Sequence, residues 1–462
     1  MAGVPEEIDA EELDQLVARV AAIDVAKASG KVCTRVPHDT VPGRRVTRVW
    51  DVPATTNAIV ELSDHLACQG IERVVVESTS DYWRPFLYLL EARGLDTWLV
   101  NARDVKQVPG RPKTDKLDAV WLAKLTEKGM LRPSFVPPKE IRELRDYTRL
   151  RVDLTVERSR HKQRLEKLLE DALIKLSIVA TDIFGVSGRA MIEALIAGER
   201  DPRRLAGLAK GRLRVKHAAL VQALTGRFDD HHAELARMLL DQIDGLTAQI
   251  DRLTARIGVD LLAAIPAAGI PKENGGGDSP GQPREPGTPA DPTHPAGAQP
   301  LAALDRLDEI PGLGPLAAQA IIAEVGLDMT RFPTAAHLVS WAKLSPQTIQ
   351  SGPKTRTGKT GKGNRYLKGV LGEAAAAAAK TDTFLGERYR RLVKRRGKLK
   401  ALVAVARSIL VIVWHLLADP AARFHDLGSN YHTTRINKDR KALNHVRQLQ
   451  ALGFTVTLSA AA

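Results

Sequence analysis

One serine in this sequence stands at the head of a basic, glycine-rich stretch whose residue types suit chemistry on a phosphodiester. Ser351 precedes Gly352, and no aspartate or glutamate occurs between Ser351 and Arg365. Glycines allow backbone N–H groups to approach an anion closely, and basic side chains neutralise phosphate oxygens. The basic residues of the stretch are Lys354, Arg356, Lys359, Lys362 and Arg365. Ser351 is therefore the leading candidate for a nucleophile, and a solvated basic loop is the simpler alternative.

The same stretch does not fit the phosphate-binding P-loop of nucleotide triphosphatases. That motif requires four residues between its first glycine and a Gly-Lys-Thr sequence, on a turn between a buried strand and a helix. Here five residues separate Gly352 from Gly358, and Pro353 stands where the first glycine is required. Residues 341–346, which would have to supply the strand, lack a strand pattern. We therefore reject a nucleotide triphosphatase.

Four carboxylates in the N-terminal third form a second candidate group. Asp24 lies within an apolar, β-branched segment, Glu77 lies in another, and Asp115 and Asp118 share one face at the start of a predicted helix. An ionised group inside a strand is costly without a compensating partner such as a cation. Together the four could form an all-oxygen site for one or two Mg²⁺ ions. Taken singly, Asp115 could cap its helix and Glu77 could pair with a neighbouring basic residue.

The elements that would position these carboxylates follow an α/β pattern. Apolar runs, β-branched residues and glycine turns predict an opening β-meander, followed by alternating helices and strands. The predicted strands cover residues 17–27, 31–36, 45–52, 73–79 and 97–101, and the predicted helices cover residues 56–68, 82–93 and 114–128. The first third of the chain is thus predicted to fold as an α/β domain.

The middle of the chain is predicted to form long charged helices. One apolar stripe runs from Leu144 to Leu169, and a second, close to a heptad repeat, runs from Leu235 to Ile257. Two such helices could pair within one chain or form a coiled coil between subunits. Basic residues on the first helix could face nucleic acid or solvent; they are Arg158, Arg160, His161, Lys162 and Arg164. Residues 266–300, rich in proline and glycine, are predicted to be a flexible linker.

Three features of the C-terminal part suggest how it contacts nucleic acid and how it folds. A Pro-Gly-Leu-Gly turn containing Gly312 and Gly314 joins two predicted helices, and its amides could bind a DNA phosphate or simply form a turn. A basic cluster that includes Arg395 and Arg396 is expected to contact the phosphate backbone, with a solvated surface as the alternative. The apolar run 402–417 falls short of the roughly 20 residues that a membrane-spanning helix needs. This run is predicted to be a buried core helix.

The composition favours a polyanionic partner in the cytoplasm. The 462 residues include 68 Lys and Arg against 54 Asp and Glu, which gives a formal net charge of +14. Phosphate neutralisation supplies most sequence-independent affinity for nucleic acid, so this charge favours such a partner. The two cysteines, Cys33 and Cys68, are far apart and argue against disulfides and structural zinc. The acidic start lacks a secretory signal pattern, and no membrane partner is expected.

Several of these segments resemble the DEDD transposases of bacterial insertion sequences, in the IS110 and IS1111 group. The N-terminal segments that carry the resemblance are residues 23–27, 77–83 and 113–119. The C-terminal motifs are Pro311-Gly312-Leu313-Gly314, Arg331-Phe332-Pro333, Gln350-Ser351-Gly352 and Gly363-Asn364-Arg365-Tyr366-Leu367. The resemblance covers nearly all of the chain, although Ser80 stands where glycine is common and the proline-rich linker is longer than expected. Ser345 is a second hydroxyl near Ser351, and we interpret it as part of a helix end.

The resemblance implies a fold that is α/β plus all-α. The N-terminal domain would be ribonuclease-H-like, in the version found in Holliday-junction resolvases. A long helical coiled-coil segment and a C-terminal helical transposase domain with a helix-hairpin-helix would follow. The expected boundaries are 1–16 for an acidic leader, 17–135 for the DEDD domain, 139–262 for the coiled-coil segment, 266–300 for the linker, 301–420 for the transposase domain and 421–462 for a tail.

The resemblance also implies a recombinase that cuts and rejoins DNA through a phosphoserine intermediate. Ser351 would be the catalytic serine, and Asp24, Glu77, Asp115 and Asp118 would hold Mg²⁺. The implied partners are the DNA of the element ends and target, a structured noncoding guide RNA (a bridge RNA), and further copies of the chain in a dimer or tetramer. Two alternatives stay open. One is a metal-dependent junction endonuclease in which the acids activate water, and the other is a non-catalytic helix-hairpin-helix DNA-binding protein.

Overall fold

The computed structural model describes residues 17–77, 80–101, 114–258, 302–346, 348–352, 354–358, 360–434 and 438–458. The chain divides into two units between Val136 and Pro137. The first unit is α/β and the second is mainly helical, as the sequence predicts. The predicted acidic leader and the predicted linker at 266–300 lie outside the described residues.

A mixed sheet forms the centre of the first unit, and its strands lie in the order β3-β2-β1-β4-β5. The strands β1, β2 and β3 form an antiparallel meander, whereas β4 and β5 run parallel to β1. The strands are β1 (Val20–Val25), β2 (Ser29–Pro37), β3 (Arg45–Pro53), β4 (Arg73–Glu77) and β5 (Thr97–Val100), and the helices are α1 (Thr56–Cys68), α2 (Trp83–Ala92) and α3 (Asp115–Glu127). The predicted meander and the alternating elements are confirmed, with ends that differ by at most a few residues.

Helices cover both faces of this sheet, which explains why β1 is apolar at every position except Asp24. Ala21, Ile23 and Val25 belong to the core that also contains residues of α1 and α2. Val20 and Ala22 belong to a second core that contains residues of α3. Because successive residues of a strand point to opposite faces, a polar residue in β1 must enter one of these two cores. Asp24 follows Ala22 by two residues and therefore lies on the α3 face.

The second unit begins with the two long helices that the apolar stripes predict. Helices α4 and α9 pack against each other within the same chain, so the intramolecular pairing is the one that the structure contains. Short helices between them enclose a shared apolar core with Leu165 and Leu169 of α4 and Leu240 of α9. The helices are α4 (Lys139–Asp171), α5 (Leu176–Val179), α6 (Val186–Ile196), α7 (Pro202–Gly207), α8 (His217–Ala223) and α9 (Asp230–Arg256).

The remainder of the second unit is organised around one long apolar helix. The helices are α10 (Ala303–Asp308), α11 (Pro315–Val325), α12 (Ala335–Trp341), α13 (Arg365–Ala378), α14 (Phe384–Arg396), α15 (Lys398–Ala418), α16 (Tyr431–Thr434) and α17 (Lys438–Ala451). By length and composition α15 could cross a membrane. However, α15 packs on α10, α12, α13 and α14, and Val405, Ile409 and Val413 are fully buried. It is therefore the predicted core helix.

Candidate active site

Two of the four candidate carboxylates lie side by side at the ends of neighbouring strands. In the parallel pair β1 and β4, Asp24 is directly opposite Glu77. Residues that are opposite each other in a sheet carry their side chains on the same face, with Cβ atoms about 5 Å apart. Glu77 is the last residue of β4 and is only 5% exposed, and Asp24 is partly buried. The fold thus brings these two acids together on the face that α3 covers.

Helix α3 runs back along β1 and brings its first turn towards this pair. The N–H of Val17 donates to the carbonyl of Glu127 over 3.2 Å, so the end of α3 lies beside the start of β1. Ala119 and Leu122 of α3 pack in the core that contains Ala22 of β1. The helix is therefore antiparallel to the strand, and its first turn, with Asp118 partly buried, points to the end of β1 that carries Asp24.

The start of α3 is capped by a residue that the sequence interpretation overlooked. Thr114, not Asp115, is the N-cap residue, and its hydroxyl accepts the N–H of Leu117 over 3.4 Å. The suggestion that Asp115 merely caps the helix is therefore wrong, because Asp115 is the first helical residue. The side chain of Asp115 lies outside the described residues.

Two basic residues on the strands that flank β1 are engaged with acids other than Asp24 and Glu77. Lys31 lies opposite Asp24 in β2, but its Nζ donates to Asp51 over 2.6 Å. Arg73, on β4 like Glu77, donates from Nε to Asp96 over 2.8 Å. The positive side chains on these strands are thus held by carboxylates at the surface.

The stretch around Ser351 is a β-hairpin, whereas the sequence interpretation expected a loop. Strand β6 (Thr348–Ser351) pairs antiparallel with β7 (Lys354–Thr357), and the backbone of Ser351 lies opposite Lys354. Gly352 has φ of +55°, a left-handed conformation that glycine adopts without strain and that a two-residue turn requires. Ser351 therefore occupies the last strand position before a tight turn. The side chain of Ser351 is not among those that the structure describes.

The basic residues of the hairpin stretch are exposed, with one outside the described residues. Lys354 and Arg356 are two residues apart on β7 and so share one face of the hairpin, and Lys362 is exposed further along. Lys359 lies outside the described residues. Arg365 is also exposed, but its guanidinium lies 3.2 Å from the carboxylate of Asp153. The guanidinium of Arg365 therefore already forms an ion pair with Asp153, and a phosphate would compete with this carboxylate for it.

The segment after the hairpin is anchored by a buried polar network that the sequence interpretation missed. Asn364 accepts the N–H groups of Tyr366 and Leu367 and thereby caps α13, and its amide donates to Glu324. Glu324 is 1% exposed and receives two hydrogen bonds from Arg149, at 2.7 and 2.8 Å. The network thus joins α4, α11 and the start of α13. A carboxylate inside the apolar sequence of α11 was the signal that could have revealed it.

The guanidinium of Arg149 is a permanent positive charge at the centre of this network. Burial opposes this charge, but the hydrogen bonds and the negative charge of Glu324 outweigh it and raise the pKa of Arg149. Arg149 also lies over the ring of Tyr366, and the hydroxyl of Tyr366 donates to Asp153 over 2.8 Å. Tyr366, in the Gly-Asn-Arg-Tyr-Leu motif, therefore holds the segment that follows the hairpin against α4.

The predicted nucleic-acid contacts outside the hairpin differ in their surroundings. Gly312 has φ of +89°, and a Cβ there would lie 2.4 Å from the carbonyl oxygen of Ala374 on α13, so packing within the chain requires this glycine. Gly314 is the N-cap of α11 and has open space where a Cβ would be. Arg395 and Arg396 are exposed in the last turn of α14.

Comparisons with known proteins agree with these features. Residues 21–174 match the family model of DEDD transposases of the IS110 type, and residues 304–390 match the model of the IS116/IS110/IS902 transposase family. Together the two matches cover about half of the chain. They include Asp24, Glu77, Asp115 and Asp118 in the first segment and Ser351 in the second.

Three curated relatives match shorter segments. An insertion element IS110 protein of Streptomyces coelicolor is 36% identical over 26% of this chain and 30% of its own length. A probable family 20 transposase of Pseudomonas aeruginosa is 32% identical over 25% and 36%. The transposase for insertion sequence element IS1111A of Coxiella burnetii is 34% identical over 24% and 32%. Each match thus spans about a third of the relative. These matches place the chain in the IS110 family of DEDD-type transposases.

Proposed function

We propose that the chain is a transposase that cuts and rejoins the DNA of an insertion sequence through a phosphoserine intermediate on Ser351. The observation that carries this proposal is the opposition of Asp24 and Glu77 on adjacent parallel strands, in a chain of this family. Two carboxylates on one face of a sheet repel each other, and a cation bound between them would relieve that repulsion. A cation in this position could also contact a phosphate group, which fits the family.

The acidic group fits Mg²⁺ by the chemistry of its donor atoms. Asp24, Glu77, Asp115 and Asp118 supply only carboxylate oxygens, which are the ligands that this hard cation prefers. When bound, the cation supplies a Lewis acid that stabilises charge on the attacked phosphate and lowers the pKa of a nearby hydroxyl. We assign the four acids to holding it, with the two strand acids as the fixed part of the site.

In this proposal the hairpin presents the nucleophile and the charges around it. The Ser351 hydroxyl loses its proton and attacks the phosphorus of a phosphodiester, and the P–O bond to one strand end breaks, so that this end takes up a proton and leaves as a free hydroxyl. The phosphoserine bond conserves the energy needed for rejoining. Lys354, opposite Ser351, and Arg356, on the same face as Lys354, are suited to stabilise negative charge on the phosphate. The network around Glu324 is suited to keep the base of the hairpin stretch in one position.

The proposal also covers the fold of the first unit, the turn that contacts DNA, and the partners of the chain. We assign the first unit to the ribonuclease-H-like fold because its strand order and its acids at strand ends suit it. The turn at Gly312 and Gly314 would act as a helix-hairpin-helix, with the open side of Gly314 towards a DNA phosphate. The positive net charge suits DNA and a guide RNA together, and α4 and α9 could also join subunits of a dimer or tetramer. The reaction would take place in the cytoplasm.

A recombination assay tests this function. Purified chain, Mg²⁺, RNA transcribed from the noncoding flank of the element, and plasmids carrying the element ends and target would be combined, and joined products would be amplified across the new junction. We expect joined product from the unchanged chain and none from Ser351→Ala. Ser345→Ala, which removes a nearby hydroxyl outside the hairpin, is the matched control and should retain the product.

The main alternative is a metal-dependent junction endonuclease, in which the four acids activate water. It predicts nicked DNA without joined product, and it predicts that Ser351→Ala nicks normally. An absence of joined product from the unchanged chain, together with nicking that survives Ser351→Ala, would therefore replace our proposal with this alternative.

A further inference from the structure

Strand β3 is an edge of the sheet in the first unit, with a paired strand on one side only among the described residues. The N–H of His38 donates to the carbonyl of Arg44 over 2.9 Å, and the N–H of Ala54 donates to the carbonyl of Ala28 over 2.9 Å. Hydrogen-bonded positions alternate along an antiparallel pair, so the even-numbered residues of β3 bond to β2. The odd-numbered residues direct their N–H and C=O groups to the other side, which we call the free edge.

The sequence of β3 is complementary to a second copy of itself. When two copies of a strand pair antiparallel across a two-fold axis, one residue lies opposite its own copy and this residue fixes all other pairs. With Val49 on the axis, all nine residues of β3 pair, Arg48 lies opposite Trp50 of the second copy, and Thr47 lies opposite Asp51. An axis at Arg48 would oppose two guanidinium groups, which destabilises a sheet. An axis at Trp50 would set Asp51 against the apolar Val49.

A pocket between β3 and α1 can receive the side chain of Arg48 from the second copy. The pocket has a volume of about 330 Å³, and Trp50, Glu61 and His65 are among its lining residues. The rings of Trp50 and His65 meet edge to face at 5.7 Å, and Glu61 is exposed. Because opposite residues carry their side chains on the same face, Arg48 of the second copy points to this pocket. Its guanidinium can stack on the indole and pair with the carboxylate of Glu61.

We propose that the free edge of β3 is the docking surface for β3 of a second copy of this chain, which joins two five-stranded sheets into one continuous sheet. Charged residues on an edge strand ordinarily prevent such pairing. Here the charges match only in the register with Val49 on the axis, so the edge selects its own copy. The docking involves neither Ser351 nor the four acids, and it does not depend on the proposed function.

Charge reversal tests the contact between Arg48 and Glu61. Sedimentation velocity of the full chain, in EDTA and without nucleic acid, would give the dissociation constant of the dimer over a concentration series. Arg48→Glu sets two carboxylates against each other at each pocket and should raise this constant by about tenfold or more. Glu61→Arg should act likewise, and the double variant Arg48→Glu/Glu61→Arg should restore dimerisation. Arg252→Glu, at an exposed position of α9, is the charge-matched control and should dimerise like the unchanged chain.

Disulfide cross-linking tests the register. The variants would also carry Cys68→Ser, because Cys68 is exposed whereas Cys33 is buried. Val49→Cys sets two thiols across the axis with Cα atoms about 5.5 Å apart, a separation that a disulfide can span. Mild oxidation should therefore give a covalent dimer on a non-reducing gel. Thr47→Cys is the matched control on the same face of the same strand, and it should not cross-link because its two copies lie roughly 14 Å apart along the strands.

Four results would overturn the proposal. They are a chain that stays monomeric throughout the concentration series, a dimer that Arg48→Glu does not weaken, a double variant as weak as the single ones, and equal cross-linking at positions 47 and 49. A dimer that Arg48→Glu leaves intact would place the contact between subunits elsewhere. Ser351→Ala should dimerise like the unchanged chain, so failure of the serine chemistry would not affect this result.

Discussion

The two candidate catalytic regions are held in different ways. Asp24 and Glu77 owe their proximity to backbone register, because adjacent buried strands bring them together whatever the surface side chains do. Ser351 belongs to a hairpin of two short strands, and the segment that follows it is fixed by side chains that centre on Glu324. A sheet therefore fixes the acids, and a polar network supports the serine region. Substitutions near the acids should affect activity more than folding, and substitutions in the network should affect folding first.

The largest effect is expected for Glu324→Ala. Glu324 is fully buried, and removing it leaves the half-buried guanidinium of Arg149 without its acid; the loss of one partner from a buried pair costs about 3–5 kcal/mol. Urea unfolding followed by circular dichroism should show this loss, and reactivity of the buried Cys33 in the first unit should stay unchanged. Glu373→Ala, at an exposed position on α13, should alter stability by about 0.5 kcal/mol at most. Equal losses in the two variants would show that the network does not support this region.

Glu77→Gln should lower activity strongly and leave stability almost unchanged, the reverse of Glu324→Ala. The amide keeps the volume of the side chain but removes its charge, so strand joining should fall by about 100- to 1,000-fold, the range for losing one fixed electrostatic contact. Unfolding in urea should change little. A gel assay of joined plasmid and a urea titration of the same preparation measure the two quantities. A large loss of stability with normal joining would remove Glu77 from the active site.

Gly312→Ala tests packing of the turn against α13. An added Cβ would lie 2.4 Å from the carbonyl oxygen of Ala374, and the alanine would have to adopt the positive φ of this position. Together these two effects should cost about 3 kcal/mol. Gly314→Ala has open space around the added methyl group and should fold almost normally. If DNA binding involves the open side of the turn, Gly314→Ala should weaken duplex binding without destabilising the chain. Similar unfolding midpoints for the two variants would contradict the packing that we describe.

The smallest effect concerns alkaline pH and the first unit. Burial raises the pKa of the Cys33 thiol to about 11, from an ordinary value of 9.0. The unfolded chain therefore loses this proton first, and stability is complete below pH 9 and falls as pH rises towards 11, by roughly 2–3 kcal/mol. Cys33→Ala should remove this part of the pH dependence in urea titrations at pH 8 and 10.5, and Cys68→Ala, at an exposed position, should not. An unchanged pH dependence in Cys33→Ala would show that this thiol titrates normally.

The first unit could be predicted well because its pattern is local. Apolar segments flanked by turn residues correctly predict the strands of this unit. The helix predicted at residues 56–68 is observed as Thr56–Cys68. Asp24 and Glu77 are recognisable candidates in the sequence because a carboxylate in an apolar strand is unusual. Their direct opposition, however, depends on the pairing of strands that are about 50 residues apart, which a single sequence does not reveal.

The second unit was harder to predict because its key contacts join distant parts of the chain. Glu324 and Arg149 are 175 residues apart, and nothing in their spacing links them. The sequence predicts a loop at Ser351, because each strand of the hairpin has only four residues and carries polar side chains. A Gly-Pro turn between two threonine-containing segments was the available signal.

The measurement that tests the central claim most directly is a denaturing gel for a covalent protein–DNA adduct. The chain would be incubated with Mg²⁺, labelled element-end DNA and the flanking RNA, then denatured before electrophoresis. Because the serine and the acids are both proposed to take part in cleavage, we predict an adduct from the unchanged chain that is absent from Ser351→Ala and also from Asp24→Asn. Free nicked DNA without an adduct, abolished by Asp24→Asn but unchanged by Ser351→Ala, would contradict it and leave the acids as the active site of a nuclease.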